Sequence, residues 1–183
     1  SMPLPTSSTQ GLEELKKQLE TPLSFVGTGL VSLDDKLGGL PRGRLTLLAA
    51  RPGMGKTTMA MQIARNASVA GNKVLFISLE MTGNELWLKA ALGIAEVSWR
   101  DYALGEVPAG TKEKLQNEII PELMRNLGNR LSIYDKEQSY TTTEMLDGLI
   151  KAECPDLVIV DHLAYITDEH ENEVKRLGLV CRR

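Results

Sequence analysis

The chain has 183 residues, of which 42% are hydrophobic and 25% charged, values that suit one globular domain with its own core and call for neither overall disorder nor a disulfide scaffold. Its net charge is −3, which argues against a chain held to nucleic acid by bulk charge, although a few loops lining a channel could still bind it. Aromatic residues are only 4%, too few for a platform on which exposed bases stack.

Residues Pro3 to Gln10 are rich in Pro, Ser and Thr and read as a mobile lead, after a Ser1-Met2 pair that reads as a cloning scar. Gly11 to Glu20 then places Leu12, Leu15 and Leu19 on one helical face, and Pro22 ends the helix. A helix this short is marginal alone, so its leucine stripe needs a partner surface, either on its own domain or on another subunit. We therefore divide the chain into a segment 1–22, with a short linker helix, and a core 23–183.

Within the core, Arg44 to Ala50 reads as a first buried strand and Thr57 to Ala70 as a helix closed by Gly71-Asn72. Lys73 to Leu79 is a second strand. Thr82-Gly-Asn-Glu85 has the form of a capping box and opens a helix to about Leu92. Ser98 to Leu127 is helical in pieces, broken near Pro108. Arg130 to Tyr134 is a third strand, Thr141 to Glu144 a second capping box, and Leu157 to Asp161 a fourth strand. Another helix starts at Val174. Alternating strand and helix with apolar strands predicts an α/β fold, a mostly parallel sheet with helices on both faces. Ligands of such sheets sit outside the carboxyl ends of the strands.

Those ends carry chemistry. Ala50-Arg51-Pro52-Gly53-Met54-Gly55-Lys56-Thr57-Thr58 is a phosphate loop, GxxxxGK[ST] with Ala50 at the first Gly, set between strand and helix as the motif requires. Gly53 and Gly55 let the backbone curl its N–H groups around a phosphate chain, and the helix that follows adds the positive end of its dipole. Lys56 supplies a charge to the β- and γ-phosphates of ATP, and the Thr57 hydroxyl is a ligand for Mg²⁺. Asp161 ends an apolar strand, the form of a Walker B carboxylate that completes the magnesium site. Glu80 ends the second strand on the same edge. It is either a base that polarises water toward the γ-phosphate or a solvated residue before a helix.

Other residues have plainer readings. Cys154 and Cys181 lack any paired spacing and read as reduced thiols of a cytoplasmic protein. No apolar run reaches the roughly 20 residues a membrane span needs, and no signal peptide opens the chain. His162 reads as a packing or hydrogen-bonding residue beside the nucleotide site, and His170 as an exposed loop residue. Trp87 and Trp99 read as helix-face core, and Glu169 to Glu173 as a solvated loop.

Several of these stretches together resemble the DnaB-type replicative DNA helicases, a family with a RecA-like ATPase core. Thr28-Gly29-Leu30 with Asp34 to Leu40 resembles the lead-in to the first strand of RecA-like ATPases. Ala49 to Thr58 is similar to the helicases' phosphate loop, Ser78-Leu79-Glu80-Met81 to their second-strand signature, and Val158 to Asp161 to their Walker B element. Ile133 to Asp135 with Thr141 to Met145 resembles the stretch after their third strand. The resemblance implies a ring-forming helicase that couples ATP hydrolysis to movement on single-stranded DNA, with Glu80 as catalytic carboxylate. It also implies a hexamer, in which the 11–20 helix docks on a neighbouring subunit, and partners such as primase and a helicase loader. The alternatives are a RecA-like ATPase of recombination or regulation, and an ATP-binding scaffold or loader that does not unwind.

The chain departs from the family pattern at three places. His162 and Ala164 stand where the family usually has Tyr and Gln, and Lys89 stands where it tends to have Arg. The family's later elements, a sensor Gln strand, a second DNA-binding loop and an arginine finger, have no counterpart. Nor does its primase-contacting N-terminal domain. The resemblance thus implies a core truncated at its C-terminal side and weak in hydrolysis by itself.

Overall fold

The computed structural model describes residues 7–20, 23–51, 53–135, 141–162 and 166. Pro22, Pro52, Ala164, Cys181, His170, the Glu169–Glu173 run and the helix expected from Val174 lie outside the described residues, as does the N-terminal lead up to Thr6.

Strand β3 (Val74–Ser78) is the centre of a three-stranded sheet, flanked by β4 (Leu131–Asp135) and β5 (Leu157–Asp161). Both pairings are parallel. Side chains of a strand alternate between faces, and here each face has its own cover. Val74 and Phe76 pack with Ala60, Met61, Ala64 and Ala67 of α3 (Lys56–Val69), Leu86 of α4 (Gly83–Ile94) and Leu127 of α7 (Ile120–Leu127). Leu75 and Ile77 pack with Leu79, Ile166 and Leu146 of α8 (Thr143–Glu153). Every residue of β3 is buried, which is why its sequence is a continuous apolar run rather than an alternating one. The expected parallel sheet with helices on both faces is what the chain adopts.

Local chemistry sets the helix ends. The Thr82 hydroxyl accepts from the Glu85 amide at 3.3 Å, and the Glu85 carboxylate accepts from the Thr82 amide at 3.0 Å, so the first capping box forms as expected. The second does not. Thr142, not Thr141, caps α8, accepting from the Met145 amide at 3.3 Å. Thr141 is instead buried and bridges to Ile166. Between α5 (Trp99–Leu104) and the helical run 111–127, the break near Pro108 is present. That run is α6 (Thr111–Lys114), a π-helical stretch over Leu115–Ile119, and α7. Pro121 has no N–H and would crowd the carbonyl four residues back, and a widened turn just before it relieves that crowding.

Further expectations fail here. Arg44 to Ala50 is not a strand, and Leu45 and Leu47 are 64% and 74% exposed. An apolar run is necessary for a buried strand but not sufficient. The run must also find an edge, and among the described residues no backbone hydrogen bond joins it to one. Another failure concerns α1 (Ser8–Glu20), which begins three residues earlier than expected, inside the lead read as mobile. Its Leu12, Leu15 and Leu19 are 60%, 47% and 79% exposed, so the stripe finds no full cover among the described residues. Trp99 is likewise an exposed residue, tilted against Tyr102 with Lys89 Nζ 5.5 Å from its ring centroid, whereas Trp87 packs against the core.

The segment before the glycine-bent loop of 50–58 is tied to α3. β1 (Phe25–Val26) and β2 (Leu40–Pro41) form an antiparallel pair around α2 (Val31–Leu37). Asp34 of α2 reaches back to accept from the Thr28 hydroxyl at 2.7 Å, the Thr28 amide at 2.9 Å and the Gly29 amide at 2.9 Å. Asn66 of α3 then donates to the Thr28 carbonyl at 3.0 Å. Gly29 sits at φ +69°, and a Cβ there would lie 2.5 Å from the Asn66 Cβ. Gly29→Ala should therefore cost at least the 1–2 kcal/mol of a left-handed non-glycine residue, read as a lower urea midpoint at unchanged slope.

The three donors hold the Asp34 carboxyl below its ordinary value, with the Thr28 hydroxyl the largest cause, then the Thr28 amide. The folded value is lower than the unfolded one. Asp34 thus contributes stability fully above the ordinary carboxyl range and loses it as pH falls through the folded value. An NMR titration of the Thr28 and Gly29 amides should give a midpoint below 3.8. A midpoint at or above that value would mean the tie does not form in solution.

Candidate functional site at the carboxyl edge of the sheet

Registers decide which residues meet. Ser78 pairs with Asp135 on one side and with Asp161 on the other. All three strands therefore end level, and the residues after them share one edge. Glu80 follows β3 and His162 follows β5 at that edge.

Asp161 is 4% exposed. A carboxylate so far from water needs partners. It has two, both from the start of α3. The Thr57 hydroxyl donates to Oδ2 at 2.6 Å, and Lys56 Nζ lies 3.6 Å from Oδ1. The structure thus brings together Lys56, Thr57 and Asp161, all singled out from sequence, although Asp161 is more than a hundred positions from the other two.

The loop that delivers Lys56 and Thr57 has the curl its glycines permit. Gly53 and Gly55 sit at φ +79° and +82°, and a Cβ at either would meet nothing within 4 Å. Glycine is needed here for the backbone angle and for the open space a ligand would use, not to avoid a neighbour. Gly55 is the N-cap of α3 and has no side-chain cap, so the first amides of the helix are not satisfied by a capping side chain. Ala50, Arg51, Gly53 and Met54 are exposed along the loop, and Thr58 is exposed on the first turn of α3. Thr58 also lines a shallow groove with Lys89, Leu92, Gly93, Val97 and Trp99.

Glu80 does not join the Asp161 cluster. Its carboxylate Oε2 is 2.7 Å from His162 Nε2. The sequence leaves His162 as a packing or a hydrogen-bonding residue; the contact with Glu80 makes it the second, with a partner that was not legible. Asp135 was missed as a positioning group. Its carboxylate accepts from the Gly83 amide at the start of α4, the helix that follows Glu80. The available signal was an acidic residue closing a strand, with a helix N-terminus one strand away.

The arrangement offers hard oxygen donors, one hydroxyl and one carboxylate, beside an ammonium and a glycine-bent loop. Among the described residues no group of three or more His, Cys, Asp and Glu side chains gathers that could hold a metal ion. A hard divalent cation held here would complete its shell with water and phosphate oxygens, the habit of Mg²⁺.

Comparison with known proteins agrees with this geometry. Residues 26–183 match the family described as the DnaB-like helicase C terminal domain. The replicative DNA helicase DnaB of Haemophilus influenzae is 40% identical over 92 residues, covering 50% of this chain and 20% of that protein. The DnaB of Pasteurella multocida is 38% identical over 125 residues, covering 67% and 26%. The chain thus spans between 20% and 30% of the length of the curated relatives it matches. Among solved structures, one described as an ATPase domain superposes with TM-score 0.69 at 20% identity, over 97% of this chain and 65% of that one. A DnaB-like replicative helicase, described with its interactions with primase, superposes with TM-score 0.72 at 22% identity, over 97% and 43%. Likeness at that identity shows a shared fold, which is the RecA-like α/β architecture. Together with the match over 26–183, it shows that the chain belongs to the DnaB-like helicase C-terminal domain family.

Proposed function

We propose that this chain is the ATP-binding core of a replicative DNA helicase, which couples ATP hydrolysis to translocation on single-stranded DNA and to duplex unwinding. The observation that carries the reading is the junction of Lys56, Thr57 and Asp161 at the carboxyl edge of the sheet. Family membership and the glycine-bent loop support it.

In this reading the amides of 50–58 and the Lys56 ammonium hold the triphosphate. Thr57 and Asp161 are the protein ligands of Mg²⁺, and their hydrogen bond at 2.6 Å already sets the two oxygens side by side. Bound there, the ion would neutralise phosphate charge as the γ-phosphoryl group transfers. Glu80 accepts a proton from the attacking water. Its half-exposed carboxylate, with 49% of the side chain accessible, leaves room for that water. The exposed stripe Leu12, Leu15 and Leu19 supports docking of α1 on a second copy of the chain, hence a homo-oligomer, with a hexameric ring as the form. Among the described residues no helix is long and apolar enough to cross a membrane, in keeping with action in the cytoplasm. Contact with primase or a loader, and with single-stranded DNA, follows from family membership alone.

Lys56→Ala should weaken binding of a fluorescent ATP analogue in the presence of Mg²⁺ by roughly 10- to 100-fold, the scale of losing about 1.5–3 kcal/mol of charged hydrogen bonding. Equal affinities would refute the phosphate-loop reading. Glu80→Gln keeps size but cannot take a proton. In the full-length protein carrying this chain it should leave nucleotide affinity nearly unchanged while single-turnover hydrolysis falls by about 10² or more. Retained hydrolysis would remove Glu80 from the catalytic group.

A further inference from the structure

His162 directly follows Asp161, and its place is dictated by register. With Ser78 opposite Asp161, one more step sets Leu79 beside His162, and the Leu79 amide still donates to the Asp161 carbonyl at 3.3 Å. One residue further, Glu80 comes within reach. His162 Nε2 then lies 2.7 Å from Glu80 Oε2, at the short end of the range for a hydrogen bond assisted by a carboxylate charge.

Two further facts make this contact more than a surface pair. Glu80 is only half covered, with 49% of its side chain accessible. A glutamate in that setting loses rotamer freedom when it is held in one direction, so it stays spread over many without a partner. His162 is also in the left-handed backbone region, at φ +68°. That region is sparse for residues with a side chain, and histidine is among those enriched there. Such backbone outliers persist only where the surroundings over-determine them, and they cluster at functional sites.

We propose that His162 is a positioning residue for the Glu80 carboxylate. Its Nε2–H holds Oε2 and leaves Oε1 to take the proton of the attacking water. In that step the water oxygen bonds to the γ-phosphorus and the water proton passes to Oε1. The bond from the γ-phosphorus to the bridging oxygen breaks, and its electron pair leaves with ADP. The inference rests on the reading of Glu80 as the base. It adds the third member of the usual arrangement, in which a base is oriented by a further group.

The test uses His162→Phe, which keeps a ring and loses the donor, and His162→Gln, whose amide nitrogen can stand near the place of Nε2. Measured in the full-length protein, His162→Phe should lower kcat for ATP hydrolysis by about 10- to 100-fold, the scale of a misplaced reacting group, with KM for ATP changed less than twofold. His162→Gln should restore most of the loss. A second measurement needs no turnover. In the ¹⁵N-labelled chain, the His162 Nε2 signal should shift on Glu80→Gln. Normal kcat in His162→Phe, equal loss in both variants, or an Nε2 signal blind to Glu80→Gln would each overturn the proposal. Failure of the underlying reading looks different, because Glu80→Gln itself would then hydrolyse ATP normally.

Discussion

The functional edge depends on the register in which β3 lies between β4 and β5. A parallel pair carries no turn to fix its alignment, so side-chain burial has to do it. Here Val74, Leu75, Phe76 and Ile77 are all 2% exposed or less, and a slip by one residue would send Phe76 to the face that α8 covers and Ile77 to the face of α3. The penalty for that exchange locks Ser78 level with Asp135 and Asp161. Once the strands end level, Asp135 meets the start of α4, Asp161 meets the start of α3, and Glu80 meets His162.

Burial also explains the division of labour between the two carboxylates at that edge. Asp161 is enclosed and answers to a hydroxyl and an ammonium. An enclosed carboxylate with one partner removed is costly, so the start of α3 and the end of β5 hold each other in place. Glu80 is half open and answers to one imidazole. The enclosed group suits fixed coordination, and the open one suits traffic with water. Two acidic residues with similar sequence settings, each at the end of an apolar strand, thus acquire different surroundings from how deeply the sheet sets them.

Much of this was legible in the residues. The apolar runs at 74–78, 131–135 and 157–161 became strands because each is buried or half-buried beside a neighbour that completes its hydrogen bonds. The Thr82–Glu85 box formed because capping is local, needing only residues three apart. Arg44 to Ala50 was misread for the opposite reason. Leu45, Leu47 and Leu48 make it apolar enough for a strand, but pairing is a property of the neighbouring edge and not of the run. Thr141 and Thr142 show the same limit on a smaller scale. Both can cap a helix, and the bridge from Thr141 to Ile166 decides which of them does.

The residues by themselves determined the glycine-bent loop that opens α3, since the positive φ of Gly53 and Gly55 is a local property that no distant contact has to create. They also determined the identity of the three strands and the acidic residues at their ends, because apolar periodicity and chain order are local properties. Tertiary structure alone decided that Asp161 would lie 2.6 Å from the Thr57 hydroxyl, 104 positions away, and that His162 would hold Glu80. Those contacts come from register and crossover, which bring together residues whose spacing in the chain carries no sign of the pairing.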